Sequence, residues 1–456
     1  MTASSDRSAA PRGGTMSRRE LVGKAGALGI GAALAPPGMP RGAAQPATAA
    51  GAGSLPALQW VWSGAVTDRA FTVKAAVDRP TAAVQLAVSM TEEFGDPHLL
   101  EPVASSAVTS PPVHTFEIGN LLPDTDYWYA VAIDGVRDET RKGHVRTFPA
   151  GAASFTFAFA TCAQTGSNAE VFRTIRDHAP LFFLCLGDFH YGDVDENAPD
   201  RFRAAYDASM TAPNQDALHR QIPIAYVWDD HDFGANNANR TSPGREAAQA
   251  VYRQIMPHYP LAADTGPIYQ AFTVGRARVI LTDLRSDRSP EDEPDGPDKS
   301  ILGSAQKAWF KQELLAANGR YPLIIWGCSQ PWIAPAKGDT DGWGHYPTER
   351  REIANFIVDN DIQGLMIVSG DAHALAIDDG SNNQYADDGG PGFPVFHAAA
   401  LDRDGSEKGG PYSLGIYPGR GQFGLVSIVD DGGDAIEVVW SGRNDADEGI
   451  IAHRFT

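Results

Sequence analysis

Between residues 59 and 131, short apolar and β-branched runs are separated by clusters of turn-forming residues. The runs at 59–64, 70–77, 84–89 and 127–131 predict β-strands. Leu122-Pro123-Asp124-Thr125-Asp126-Tyr127 enters the last of them with the spacing of the tyrosine corner of fibronectin-type sandwiches. A small all-β sandwich over residues 55–149 is expected, with no chemistry of its own and the role of a lid or spacer.

From Phe155 the pattern changes to near-continuous apolar runs at 155–161, 181–186, 222–228, 278–281, 323–326 and 364–368, alternating with helical stretches. Apolarity without alternation indicates strands covered on both faces, as in an α/β sheet. Helices fit at 304–315, with Ser304 as cap, and at 348–358, with Thr348 as cap and acidic residues in the first turn. Residues 423–429 and 435–440, joined by Asp431-Gly432-Gly433, predict a hairpin. The run 289–299, rich in Pro, Asp and Glu, predicts a solvated loop. Residues 153–456 thus make a second, larger domain, since 456 residues exceed a comfortable single core.

With 57 acidic against 37 basic residues the formal charge is −20. That argues against a nucleic-acid partner, which needs clustered Lys and Arg. It leaves room for a small phosphate substrate, because bound cations can dominate the field of a site. No apolar run after the first fifty residues is long enough to span a bilayer, and a monomer is expected. Residues 1–50 read as an address: Ser17-Arg18-Arg19-Glu20-Leu21-Val22-Gly23-Lys24, a weakly apolar stretch at 25–35, then small residues. This resembles a twin-arginine export signal, with the twin-arginine translocation machinery as partner and the periplasm, cell wall or medium as destination. The three cysteines are odd in number and widely spaced, so they form no disulfide framework. Cys185, within Leu184-Cys185-Leu186, reads as a small core residue, while Cys328 is open between core and site.

The chemistry follows the strands. The predicted strands end in Cys162; in Gly187-Asp188-Phe189-His190-Tyr191; in Asp229-Asp230-His231-Asp232; in Asp283-Leu284-Arg285; in Cys328-Ser329-Gln330; and in Gly370-Asp371-Ala372-His373. In open α/β sheets, ligands bind beyond the carboxyl ends of the strands. Asp188, Asp229, Asp230 and Asp371 gathered there would repel one another unless multivalent cations neutralised them, and one central carboxylate can bridge two cations. Oxygen ligands favour hard cations, whereas an added thiolate and phenolate favour high-valent iron. Two metals ~4 Å apart suit in-line attack on phosphorus, with a nearby His to protonate the leaving oxygen.

Together, Ala160-Thr161-Cys162, Gly187-Asp188-x-x-Tyr191, Trp228-Asp229-Asp230-His231-Asp232 with Asn236-Asn237, Asp283-x-Arg285, Leu302-Gly303-x-x-Gln306-x-x-Trp309 and Ser369-Gly370-Asp371-x-His373 form an ordered set. It resembles the alkaline phosphatase D (PhoD-type) family, relatives of purple acid phosphatases within the calcineurin-like metallophosphoesterases. The resemblance implies an α/β fold: a metallophosphoesterase-type β-sandwich core flanked by helices in four layers, preceded by the fibronectin-like sandwich. It implies that Cys162, Asp188 and Tyr191 hold Fe(III), with Asp188 bridging to a calcium ion bound by Asp230. His373 would face the iron and Asp371 the calcium, with Asn236 or Asn237 completing the calcium shell. His231 would be the general acid or a phosphate contact. Arg285 and Arg288 are candidates to clamp phosphate oxygens bidentately, or else to pair with the acidic loop beside them.

Asp232 stands where the family has Glu, and Phe189-His190 replaces a more apolar pair, departures that bear on substrate preference. His190 is expected on the rim of the site, not as a ligand. The implied activity is hydrolysis of phosphomonoesters or phosphodiesters, with phospholipids or teichoic-acid-like polymers as alternative diester substrates. A catalytically silent surface-binding protein is the reading of a different class.

Overall fold

The computed structural model describes residues 57–335 and 342–456. The export signal expected within 1–50 lies outside the described residues. Phe155–Ala160, Phe183–Leu186 and Ile224–Val227 run parallel in the middle of a ten-stranded sheet. To one side the sheet continues antiparallel through Gln422–Val429, Glu437–Asn444 and Gly449–Phe455, which contain the expected hairpin. To the other, Leu58–Gly64 pairs in parallel with Ile224–Val227, and Phe71–Val77, Val113–Ile118 and Ala104–Ser106 follow.

The expected N-terminal sandwich is present, but it shares this sheet and its apolar core with the larger region. The junction depends on Gly64, because a Cβ there would collide with the carbonyl oxygen of Ile224. The second layer of the sandwich is a five-stranded sheet built on Val84–Ser89 and Asp126–Ile133. The tyrosine corner forms: the Leu122 amide donates to the Tyr127 hydroxyl at 3.0 Å.

A separate seven-stranded sheet has Ala277–Thr282, Leu323–Cys328, Leu365–Ser369 and Val395–His397 in parallel, edged by Gln270–Val274, Ala374–Asp378 and Ile416–Pro418. The period-2 alternation of strands explains why these apolar runs are unbroken. In Leu323–Cys328, Leu323 and Ile325 face the core shared with the ten-stranded sheet, whereas Ile324, Trp326 and Cys328 face the opposite core. Leu365–Ser369 repeats the pattern, with Met366 and Val368 on one side and Leu365 and Ile367 on the other.

Helices Ser304–Ala317 and Pro347–Asp359 supply Phe310, Leu314, Ile353 and Ile357 to that opposite core. Helices Glu170–Asp177, Pro199–Met210, Pro213–Gln221 and Arg245–Ile255 bring Val171, Phe172, Phe202, Leu218 and Val251 to the core of the ten-stranded sheet. The result is the implied mixed α/β architecture of helices, sheet, sheet and helices.

Both expected caps are displaced. Gly303, at φ +74°, precedes the helix that begins at Ser304. Pro347 opens the later helix, where its fixed φ suits the first turn, and the Thr348 hydroxyl instead donates to Asp295 Oδ2 at 2.6 Å. Asp295 lies in the expected 289–299 loop, so that loop is partly tied down.

Candidate metal centre

The carboxyl ends of the central strands converge. After Phe155–Ala160, Thr161 leaves the ladder and bridges Ala400 of the other sheet's connection. The Cys162 amide then bonds Gly187 O at 3.4 Å and the Ala163 amide bonds Asp188 O at 2.8 Å, which sets Cys162 beside Asp188. Cys162, Asp188, Asp371 and His373 all take left-handed backbone, at φ 62°, 50°, 71° and 48°. Non-glycine residues seldom do so, and such positions cluster at functional sites. Each turns the chain abruptly at or just beyond a strand end.

The side chains close the cluster. Cys162 Sγ lies 3.5 Å from Asp188 Oδ2, and the Tyr191 hydroxyl donates to the same oxygen at 2.9 Å. The Tyr191 hydroxyl is also 3.2 Å from His373 Nε2. Two sets of possible ligand atoms, each within 4.8 Å, emerge among the described residues: Cys162, Asp188 and His373; and Asp188, Asp230 and His231. Asp188 belongs to both. Asp371 is buried nearby, with Lys408 Nζ 2.6 Å from its Oδ1. Asn236 is exposed and its amide bonds Asn237, whose own backbone amide holds Asp230 Oδ2 at 2.7 Å. Of the two asparagines, the structure thus ties Asn237 to the cluster, through its backbone.

Burial raises the Asp188 carboxyl well above the carboxylate range, and Asp230, Asp229, Asp232 and Asp371 push it further. Burial likewise raises the Cys162 thiol, reinforced by Asp188 and Asp371. The Tyr191 phenol is raised by burial and then by Asp188 and Cys162. His373 is lowered to about 4, by burial first and then by Lys408, so its ring is neutral at ordinary pH. Its Nδ1 lies 2.8 Å from Asp404 O, an acceptor, so Nδ1 carries the proton and Nε2 offers a lone pair to the cluster.

The donors fit multivalent cations. Asp188 Oδ1 is buried with no hydrogen-bond partner among the described residues, and the carboxylates around it disfavour one another's charge. A cation supplies both the missing partner and the missing charge.

The two arginines expected to clamp phosphate are buried against protein acceptors. Arg285 and Arg288 are each 0% exposed. Arg285 Nε donates to Asp229 Oδ1 at 2.7 Å, and its Nη2 is 3.5 Å from Asp230 Oδ1. Arg288 donates to Gln330 Oε1 at 2.6 Å and to Glu291 Oε1 at 3.0 Å, with its guanidinium over the Tyr346 ring. Both guanidinium groups serve protein acceptors, and the pairing with the acidic loop is realised at Arg288 through Glu291.

His190 is buried, not on the rim: its ring packs edge-on against Tyr206 at 4.4 Å. Asp232, the departure from Glu, is a working cap. One of its oxygens accepts from the Asp229 amide at 3.1 Å and the other from the His190 amide at 3.1 Å. Cys185 is a buried strand residue, as expected. Cys328 is buried too, with its sulfur 3.1 Å from Trp343 Nε1.

Sequence reasoning missed Asp193, whose Oδ1 lies 2.5 Å from His231 Nδ1, and Asp404, Arg403 and Lys408 on one loop. The loop follows the short strand Val395–His397, whose three residues gave too little pattern to mark a strand end.

The PhoD-like phosphatase family model matches residues 157–411. Alkaline phosphatase D of Bacillus subtilis is 25% identical over 312 residues, covering 57% of this chain and 52% of that protein. Tartrate-resistant acid phosphatase type 5 of Sus scrofa is 23% identical over 193 residues, covering 40% of this chain and 52% of that protein. The chain thus spans about half the length of these curated relatives. A solved structure of PhoD superposes with a TM-score of 0.68 at 18% identity, covering 90% of this chain and 94% of that one. The purple acid phosphatase PPD1 of yellow lupin (Lupinus luteus) superposes with a TM-score of 0.60 at 11% identity, covering 87% of this chain and 73% of that one. Both structures share its fold, and by the matched family model the chain belongs to the PhoD-like phosphatase family.

Proposed function

We propose that this protein is an exported, metal-dependent phosphoesterase that hydrolyses phosphomonoesters or phosphodiesters. The observation that carries the reading is Asp188, common to two sets of candidate ligands. The thiol and phenol of Cys162 and Tyr191, with His373, favour trivalent iron on one side of Asp188. The carboxylates of Asp230 and Asp371 favour a hard cation such as calcium on the other. Bound cations of this kind activate a water and offset the charge of phosphoryl oxygens.

The chain's own groups position and protonate. Asp193 holds His231 Nδ1 at 2.5 Å, leaving Nε2, 4.0 Å from Asp230 Oδ2, to give a proton to the leaving oxygen. Asp404 O fixes the His373 ring. The buried Asp229–Arg285 pair supports Asp230 from behind. Export by the twin-arginine route belongs to this proposal and rests on Arg18, Arg19 and the small apolar stretch after them.

The test is metal analysis of natively exported protein alongside turnover of p-nitrophenyl phosphate and bis-p-nitrophenyl phosphate, with phospholipid and polymer diesters as further substrates. Iron and calcium in the active protein, a visible band from the Tyr191 phenolate on iron, and loss of metal and ~10³-fold or more of turnover in Asp188→Asn are expected. Full turnover after both metals have been stripped would overturn the reading.

A further inference from the structure

We infer that Arg403 and Lys408 are the cations that grip the phosphate oxygens of the substrate, an assignment that rests on the phosphoesterase reading above. The two arginines that the motifs offer for this task are sealed in the interior and bonded to protein acceptors. Arg403 and Lys408, by contrast, are half-buried at the edge of the cluster.

Their loop is fastened to the cluster. The Leu401 amide bonds Thr161 O at 3.0 Å, next to Cys162. Asp402 Oδ1 accepts from the Gln164 amide at 2.5 Å, Asp404 O holds His373 Nδ1 at 2.8 Å, and the Ser406 amide bonds His373 O at 3.2 Å. Between these ties the Arg403 guanidinium lies 4.1 Å from the centre of the Tyr191 ring, and Lys408 Nζ lies 2.6 Å from Asp371 Oδ1. His231 packs against the same Tyr191 ring at 4.1 Å. Lys408 is 32% exposed against 5% for Asp371, so the ammonium is on the open side of the pair.

Chemistry gives the two residues a task there. The cluster is rich in carboxylates, so an approaching phosphate meets repulsion unless cations stand at its entrance. A guanidinium fork engages two phosphate oxygens in parallel, and an ammonium serves a third as a point charge. Neither residue is needed to build the core. Arg403 otherwise stacks on Tyr191 and bonds the side chain of exposed Gln164.

The experiment compares metal-loaded unaltered protein with Arg403→Gln, Arg403→Lys and Lys408→Gln. Inorganic phosphate binding is followed by calorimetry, KM and kcat on p-nitrophenyl phosphate by absorbance, and iron and calcium by elemental analysis. Arg403→Gln should keep its metals, weaken phosphate binding about tenfold or more, and raise KM more than it lowers kcat, with Arg403→Lys recovering part of the loss. Lys408→Gln should weaken phosphate binding similarly. Phosphate affinity within twofold of the unaltered protein in both glutamine variants overturns the assignment, as does an unaltered protein that binds no phosphate. Phosphate binding that depends on both residues, in a protein that cleaves neither ester, would leave the assignment standing and sink the phosphoesterase reading.

Discussion

Arg285 Nε lies 2.7 Å from Asp229 Oδ1, and neither side chain reaches solvent. Ser329 donates to the same Asp229 oxygen at 3.0 Å, so this carboxylate is committed to the interior while its neighbour Asp230 turns to the cluster. One step along the chain therefore separates a structural aspartate from a candidate ligand. Removing one partner of a buried ion pair leaves the other charge uncompensated, which costs about 3–5 kcal/mol. Arg285→Ala should lower the unfolding free energy by about that amount in urea titrations, with Arg285→Lys intermediate because the fork is lost. If Arg285→Ala instead unfolded like the unaltered protein and only raised KM, the residue would be a substrate clamp after all.

Strand ends carry the site, and Gly187 shows how tightly one is built. It sits at φ +97° between the strand Phe183–Leu186 and Asp188, and an added Cβ would lie 2.5 Å from Asp229 Cβ and 2.6 Å from the Asp229 amide. Gly187→Ala is thus strained twice, by conformation and by contact. It should cost ~2 kcal/mol or more in urea and lower metal content by displacing Asp188 from Cys162 and Asp230. Normal metal content at normal stability would show that the turn is not what places Asp188.

This element scale is also where reading from sequence worked and where it stopped. Unbroken apolar runs marked the central strands because both sheet faces are covered, and of the polar residues after them the fold gathers Cys162, Asp188, Tyr191, Asp230 and His231 as candidates. Residue type could not reveal that Arg285 points inward, because an arginine beside a motif looks the same whether its partner is Asp229 or a phosphate. Nor could it place Arg403 and Lys408, which reach the site through the Thr161–Ala400 bridge, a contact between residues far apart in the chain.

At the scale of the whole molecule, the ten-stranded sheet makes the N-terminal sandwich part of the framework that carries the candidate metal centre, and the seam between them is aromatic. Trp60 Nε1 donates to Asp207 Oδ1 at 2.7 Å and Trp62 Nε1 to Ile255 O at 3.1 Å, pinning the first strand to two helices of the larger region. His219 packs into the same seam, its ring 5.6 Å from Trp62, 5.4 Å from Phe189 and 6.0 Å from Phe183. Both its ring nitrogens are buried without hydrogen-bond partners among the described residues, and burial lowers its pKa to about 3. The unfolded chain binds this proton near pH 6.5, long before the folded one does. Stability from the neutral ring is therefore complete above about pH 6.5 and is lost as pH falls toward 3, at up to about 1.4 kcal/mol per pH unit. His219→Leu keeps the seam apolar and removes the titrating group, so its unfolding free energy should fall less steeply between pH 6.5 and 4.5 than that of the unaltered protein. Urea titrations across that range test this, and equal slopes would move the acid-sensitive group away from the seam, to buried histidines such as His190 or His397, whose pKa values are lowered to about 3 by the same cause.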